Sequence, residues 1–182
     1  MRLSDRPTVS DDVEIDAPPA LIWSLVTDPA RMGEFSPENG GGSWLRPATG
    51  PAVGARFTAS NQRGAMSWTR TSTVIECRPP RVFAFAVTDP EDPAADPVAP
   101  IAVWRYQLHP RRDGGTWLVE SVEFGTAPSP LTARIAEVPD KEELVVAARC
   151  AEHARNIGST LHAIQAAAES SPPRPLPGGR ET

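Results

Sequence analysis

The chain of 182 residues lacks most of the features by which common functions announce themselves. No stretch reaches the roughly 18 consecutive apolar residues of a membrane-spanning helix. Met1 to Pro7 carries Arg2, Asp5 and Arg6 and no apolar core, so a secretory signal peptide is not expected. Cysteine is scarce. Cys77 and Cys150 stand 73 residues apart with no CxxC partner, which reads as two free thiols in a reducing cytoplasm. The three histidines, His109, His153 and His162, lack the short spacing of a zinc site, and no metal is expected. No G-x-G-x-x-G, Walker loop, H-E-x-x-H or G-x-S-x-G is present, so no nucleotide cofactor and no nucleophile elbow is expected. Lysine is nearly absent: 17 of the 18 basic residues are arginine, Lys141 being the exception. The formal net charge is −5, and no basic patch argues for a nucleic-acid partner.

Proline, by contrast, is abundant, at 21 residues, where average usage is about 5%. The prolines have addresses. Four fall in the acidic stretch Thr88 to Pro100 (TDPEDPAADPVAP), where missing donors and repelling carboxylates preclude pairing inside a sheet, so a long exposed loop is expected. Four more fall after Ser170, where a disordered tail over 170–182 is expected. Most others sit at element boundaries such as Pro18-Pro19, Pro79-Pro80 and Pro139. The 19.5 kDa chain is long enough to bury about 70% of its extended surface, which suits one core.

Between these marks the chain alternates. Thr8 to Ile15 reads as a strand. Asp16 is expected to open a helix with Pro18 and Pro19 in its first turn and Leu21, Ile22, Leu25 and Val26 as its buried stripe. Asp28-Pro29 ends it, and one or two further turns cover Ala30 to Phe35. Gly40-Gly41-Gly42 is followed by Trp44 and not by a phosphate-binding helix, so it reads as a flexible turn into a short strand. Strands are expected over Ala55–Asn61, Ser67–Cys77, Val82–Thr88, Ala102–His109 and Thr116–Gly125, the last two joined at Arg112-Asp113-Gly114-Gly115. A short helix over Leu131–Val138 and a long one over Lys141–Ala168 close the chain, the long one with Cys150, Ala154, Ile157, Leu161, Ile164 and Ala168 on its apolar stripe. Sequential antiparallel strands with helices at both ends indicate an α+β fold.

Several pieces of the chain, in order, resemble the START-like (SRPBCC) superfamily, which includes polyketide cyclase/dehydrase proteins: VEIDAPPALIWSLVTDPARMGEFSPE, TVIECRPPRVFAFAV, VWRYQLHPRRDGGTWLVESVEF and NIGSTLHAIQAAAE. The resemblance implies a helix-grip fold, a curved antiparallel β-sheet wrapped around a long C-terminal helix with a cavity between them, as a single domain over 8–169.

If the alternating faces point inward, Trp68, Arg70, Ser72, Val74 and Glu76 share one of them, Trp104, Tyr106 and Leu108 another, and Leu118, Glu120, Val122 and Phe124 a third. The expected ligand-binding residues are Trp68, Arg70, Trp104, Tyr106, Glu120, His153 and Ile157, the last two on the long helix at four-residue spacing from Arg149. Glu34, Glu38 and Asn39 are rim candidates through the resemblance. Three functions compete. The first is binding of a small hydrophobic or polycyclic ligand, lipid- or polyketide-like, by a cytoplasmic monomer or homodimer without cofactor. The second is a cyclase or aromatase type of enzyme with Glu120, Tyr106, His153 and Arg70 as catalytic candidates. The third is an interaction module without ligand. Two or more ionisable groups in a cavity favour the enzyme, a purely apolar cavity favours binding, and a filled core favours the third.

Overall fold

The computed structural model describes residues 1–89 and 96–170. The tail expected over 170–182 lies outside them except for Ser170, and so do residues 90–95 of the acidic loop.

A 3-10 turn at Leu3–Asp5 precedes strand β1 (Thr8–Ile15). Helix α1 (Pro19–Val26) follows, and it does not begin at Asp16. Pro18 stays extended, at φ −69° and ψ 148°, because a residue before proline is driven out of the helical region. Asp16 instead donates its backbone N–H to Glu169 Oε1, at 3.1 Å. Helix α2 (Pro29–Phe35) is capped by Asp28, whose carboxylate accepts from the Ala30 N–H at 3.0 Å.

Six more strands then run in sequence: β2 (Asn39–Trp44), β3 (Arg56–Arg63), β4 (Met66–Arg78), β5 (Val82–Thr88), β6 (Ala102–Pro110) and β7 (Thr116–Phe124). All seven form one antiparallel sheet in the order β1-β7-β6-β5-β4-β3-β2. Helix α3 (Pro130–Glu137) and the 28-residue helix α4 (Glu142–Glu169) complete the chain. At about 1.5 Å per residue α4 runs roughly 42 Å, long enough to cross the whole sheet. This is the helix-grip α+β architecture. No helix among the described residues is long and apolar enough to cross a membrane.

The three glycines expected as a turn lie inside β2 itself. Helix α2 and β3 press so close there that side chains have no room. A Cβ at Gly42 would stand 1.7 Å from the Thr58 carbonyl oxygen, and one at Gly33 of α2 would stand 2.5 Å from the Gly40 backbone. The close approach covers the open edge of β2 with α2. The opposite edge, β1, lies under α4, where Gln165 Nε2 donates to the Glu14 carbonyl at 2.9 Å. Both edges are thereby shielded from pairing with another chain.

The core gathers Ile22, Leu25 and Val26 of α1, Phe57, Phe83 and Phe85 of the sheet, and Ile157, Leu161 and Ile164 of α4. Two face assignments need correction. A bulge in β4 between Val74 and Glu76 inserts one residue and inverts the alternation. Cys77 therefore packs on the core, while Glu76 pairs on the outer face with Arg105 and Arg78. On α4, Ala154 is exposed, and the inward places fall to His153 and Thr160 beside Ile157 and Leu161. That stripe turns polar where the helix faces a void.

Candidate functional site

The void is a cavity of about 1020 Å³ between the inner face of the sheet and α4. Pleating aims Phe57 and Ala59 of β3, Trp68, Arg70 and Ser72 of β4, Phe85 and Val87 of β5, Trp104 and Tyr106 of β6 and Glu120 and Phe124 of β7 into it. From α4 come Arg149, His153, Asn156, Ile157 and Thr160. The exposed Met66 at the β3–β4 hairpin, with Arg134 of α3 and Ala148 of α4, lines the open side. Each of Trp68, Arg70, Trp104, Tyr106, Glu120, His153 and Ile157 lines the cavity, and so do Glu38 and Asn39. Glu34 does not: it sits on the outer side of α2, paired with Arg31 at 3.0 Å. A helical turn separates it from the loop that carries Glu38 inward.

Deepest in the wall are Tyr106 and Glu120, opposite each other in the β6–β7 register. The Tyr106 hydroxyl donates to Glu120 Oε1 at 2.9 Å. The second carboxyl oxygen, Oε2, is buried and has no hydrogen-bond partner among the described residues. Burial pushes the Glu120 pKa to about 8, and the hydrogen bond from Tyr106 offsets only part of that rise. Glu120 is thus a neutral carboxylic acid at pH 7. Burial, and then the neighbouring carboxyl, push the Tyr106 phenol well above its ordinary value. Both groups are protonated donors.

One strand step outward, the His153 ring stands edge-on to Trp104 (5.3 Å, 78°) and to Phe124 (5.2 Å, 67°). Burial first, and the Arg149 cation second, depress its pKa to about 3. The imidazole is neutral, with one donor and one acceptor nitrogen. Arg70 projects from β4 with its side chain 14% exposed and pairs with Asp89 at 3.2 Å.

The flank between α4 and the β2–β3 end is shut by charges. Arg149 grips Glu38 with both terminal nitrogens, at 2.8 and 3.1 Å, and holds Glu152 at 2.6 Å. Asn156 Nδ2 donates to Glu38 Oε2 at 3.1 Å, and Arg63 reaches Glu152 at 3.3 Å. Burial works against the Arg149 charge, but its bonds to Glu38 and Glu152 prevail and raise its pKa. The sequence reading did not select Arg63, Glu152 or Asn156. Arg149, Glu152 and Asn156 recur at three- and four-residue steps on one helical face, a polar stripe that the search for apolar periodicity passes over. No group of three or more His, Cys, Asp or Glu among the described residues is arranged to hold a metal.

A curved sheet gripping one long helix around a lined cavity defines a helix-grip protein of the SRPBCC type. The family model described as polyketide cyclase / dehydrase and lipid transport matches residues 6–166, and the chain belongs to that family. Among solved structures it is similar to a Polyketide_cyc-like protein of Corynebacterium glutamicum, at 32% identity over 91% of this chain and 90% of the other, with a TM-score of 0.60. The Zhui aromatase/cyclase of Streptomyces sp. R1128 shares 21% identity over 90% and 93% of the two chains, with a TM-score of 0.64. Ginseng major latex-like protein 151 of Panax ginseng shares 10% identity over 89% and 97%, with a TM-score of 0.59. At such identities these last two speak for the fold. No curated protein matches the chain.

Proposed function

We propose that the cavity binds a small hydrophobic or polycyclic molecule, lipid- or polyketide-like, and that Trp68, Arg70, Trp104, Tyr106, Glu120, His153 and Ile157 contact it, with Glu38 and Asn39 at the rim. One observation carries this reading: Glu120 Oε2, buried and without a partner among the described residues, belongs to a side chain in the wall of a roomy cavity whose aromatic and aliphatic surface is interrupted by polar groups and by charges already paired. A buried polar atom left unpaired costs about 1–3 kcal/mol, and a ligand oxygen removes that cost. The hollow core weighs against an interaction module without ligand. Native mass spectrometry of the protein purified from its own host tests the reading. A bound small molecule is the expected result. A bare chain that also takes up no hydrophobic probe would refute it.

A second reading has its own support. Glu120, Tyr106, His153 and Arg70 place four titratable groups in one cavity, the arrangement named above as favouring an enzyme. Glu120, neutral yet titrating near pH 8, suits a general acid that protonates a leaving hydroxyl in a dehydration and, once ionised, takes up the α-proton, with Arg70 beside a developing enolate oxygen. His153, its pKa depressed to about 3, serves as a hydrogen-bond partner. Glu120→Gln keeps the shape and removes the transferable proton. Loss of turnover with a melting temperature that does not fall supports the enzyme reading, and unchanged turnover removes Glu120 from it.

A further inference from the structure

The cavity lining holds many charged residues, yet among the described residues its interior offers no unpaired charge. Four arginines line it, Arg63, Arg70, Arg134 and Arg149. Each already holds a carboxylate: Glu152 at 3.3 Å, Asp89 at 3.2 Å, Glu137 at 2.7 Å and Glu38 at 2.8 Å, respectively. An arriving anion would have to displace one of these partners, share an arginine whose charge a carboxylate already offsets, or lie buried without a counter-ion, and an unpaired buried charge is far costlier than an unpaired neutral group. At the deep end no cation stands within ion-pair distance of Glu120 among the described residues.

The groups facing Glu120 come from three elements. Tyr106 of β6 donates to it. Asp11 of β1 is its register partner; it is exposed and lies toward Gly158 of α4. His153 of α4 lies farther out, against Trp104 and Phe124. None of them supplies a positive charge, and a carboxyl buried without a counter-ion keeps its proton. Tyr106 occupies Oε1, so that proton sits on Oε2 as a donor awaiting an acceptor.

We propose, resting on the ligand-binding reading above, that the cavity selects uncharged molecules bearing an acceptor oxygen, a carbonyl or ether seated on Glu120 Oε2, and turns away carboxylate and phosphate ligands. This choice divides the broad class of hydrophobic ligands. Ketones and quinone-like ring systems fall inside it. Free fatty acids and phospholipids fall outside it. Occupancy also follows the state of Glu120: as pH rises through about 8 the donor is lost, and an ionised oxygen then faces the ligand's own lone pairs.

Three probes of matched size separate the terms by equilibrium dialysis: methyl naphthyl ketone, naphthoate and isopropylnaphthalene. At about pH 6 the ketone should bind about tenfold tighter than either of the others, the effect of one well-placed hydrogen bond. Its advantage over isopropylnaphthalene should vanish at about pH 9 in the wild type. In Glu120→Gln the ketone's pH profile should be flat, because an amide does not ionise. Naphthoate binding as tightly as the ketone, or all three binding alike, overturns this selectivity and leaves the cavity as a ligand site. Failure of all three to bind overturns the ligand-binding reading as well.

Discussion

Glu120 and His153 lean in opposite electrostatic directions for the same reason: each is kept neutral by burial. The folded chain holds a proton on Glu120 up to about pH 8, whereas the unfolded chain releases it near the ordinary glutamate range. Stability from this group is complete below the unfolded value and is lost as pH rises through the folded one. Urea denaturation at about pH 5 and about pH 9 should show Glu120→Gln gaining on the wild type by a few kcal/mol, on the order of the shift. An unchanged difference between the two proteins would mean that Glu120 is not protonated at neutral pH. His153 works the other way. Its folded pKa of about 3 lies below its unfolded value, so its contribution is present above the unfolded value and is lost as pH falls toward the folded one. Its ring resonances should stay at neutral-imidazole positions down to about pH 5 in an NMR titration. Strand alternation grouped Tyr106 with Trp104 and Glu120 with Phe124 but left open which way each face points; the unbulged register of β6 on β7 supplies the pairing of Tyr106 with Glu120. The same rule misplaced Glu76, because no local signal marks the residue inserted beside it in β4.

At the scale of elements, the site depends on two packings. Helix α2 must lie flat on β2, and β2 close on β3, to deliver Glu38 to Arg149; the first contact rests on Gly33 against the Gly40 backbone and the second on Gly42 against Thr58. Gly42→Ala puts a methyl against the Thr58 carbonyl, at 1.7 Å before relaxation, so β2 and β3 must part. The expected cost is about 3 kcal/mol in a denaturation curve. Gly50→Ala is the control, since no atom lies within 4 Å of its added Cβ; it should stay within about 0.5 kcal/mol of the wild type. Element order and most strand limits were legible because period-2 and period-3.6 patterns are local. The role of Gly40–Gly42 was not, because a glycine needed for close approach and a glycine needed for a turn look alike in sequence. The Glu38–Arg149 pair joins residues 111 apart in the chain, a separation that local patterning cannot bridge.

Across the whole molecule, a cavity of about 1020 Å³ departs from the close packing that holds elsewhere in protein interiors. Empty apolar space withholds contacts that would otherwise stabilise the fold. Adding side-chain volume there should therefore not incur the usual overpacking cost of about 1–3 kcal/mol. Ala59 tests this. It is a small buried residue on the inner face of β3, between Gly42 and Arg70 in register, and it lines the cavity. Ala59→Phe should leave the melting temperature unchanged or raise it, while weakening a bound hydrophobic probe at least about tenfold, since a buried aromatic ring excludes a comparable volume of ligand. In the wild type the same probe at about a hundredfold excess over Kd should stabilise by about 2.7 kcal/mol. At the same probe concentration that stabilisation should fall to about 1.4 kcal/mol or less in the variant. A sharp fall in melting temperature with probe binding intact would mean that the space beside Ala59 is closed core, and that the ligand room lies nearer the open side at Met66 and Ala148.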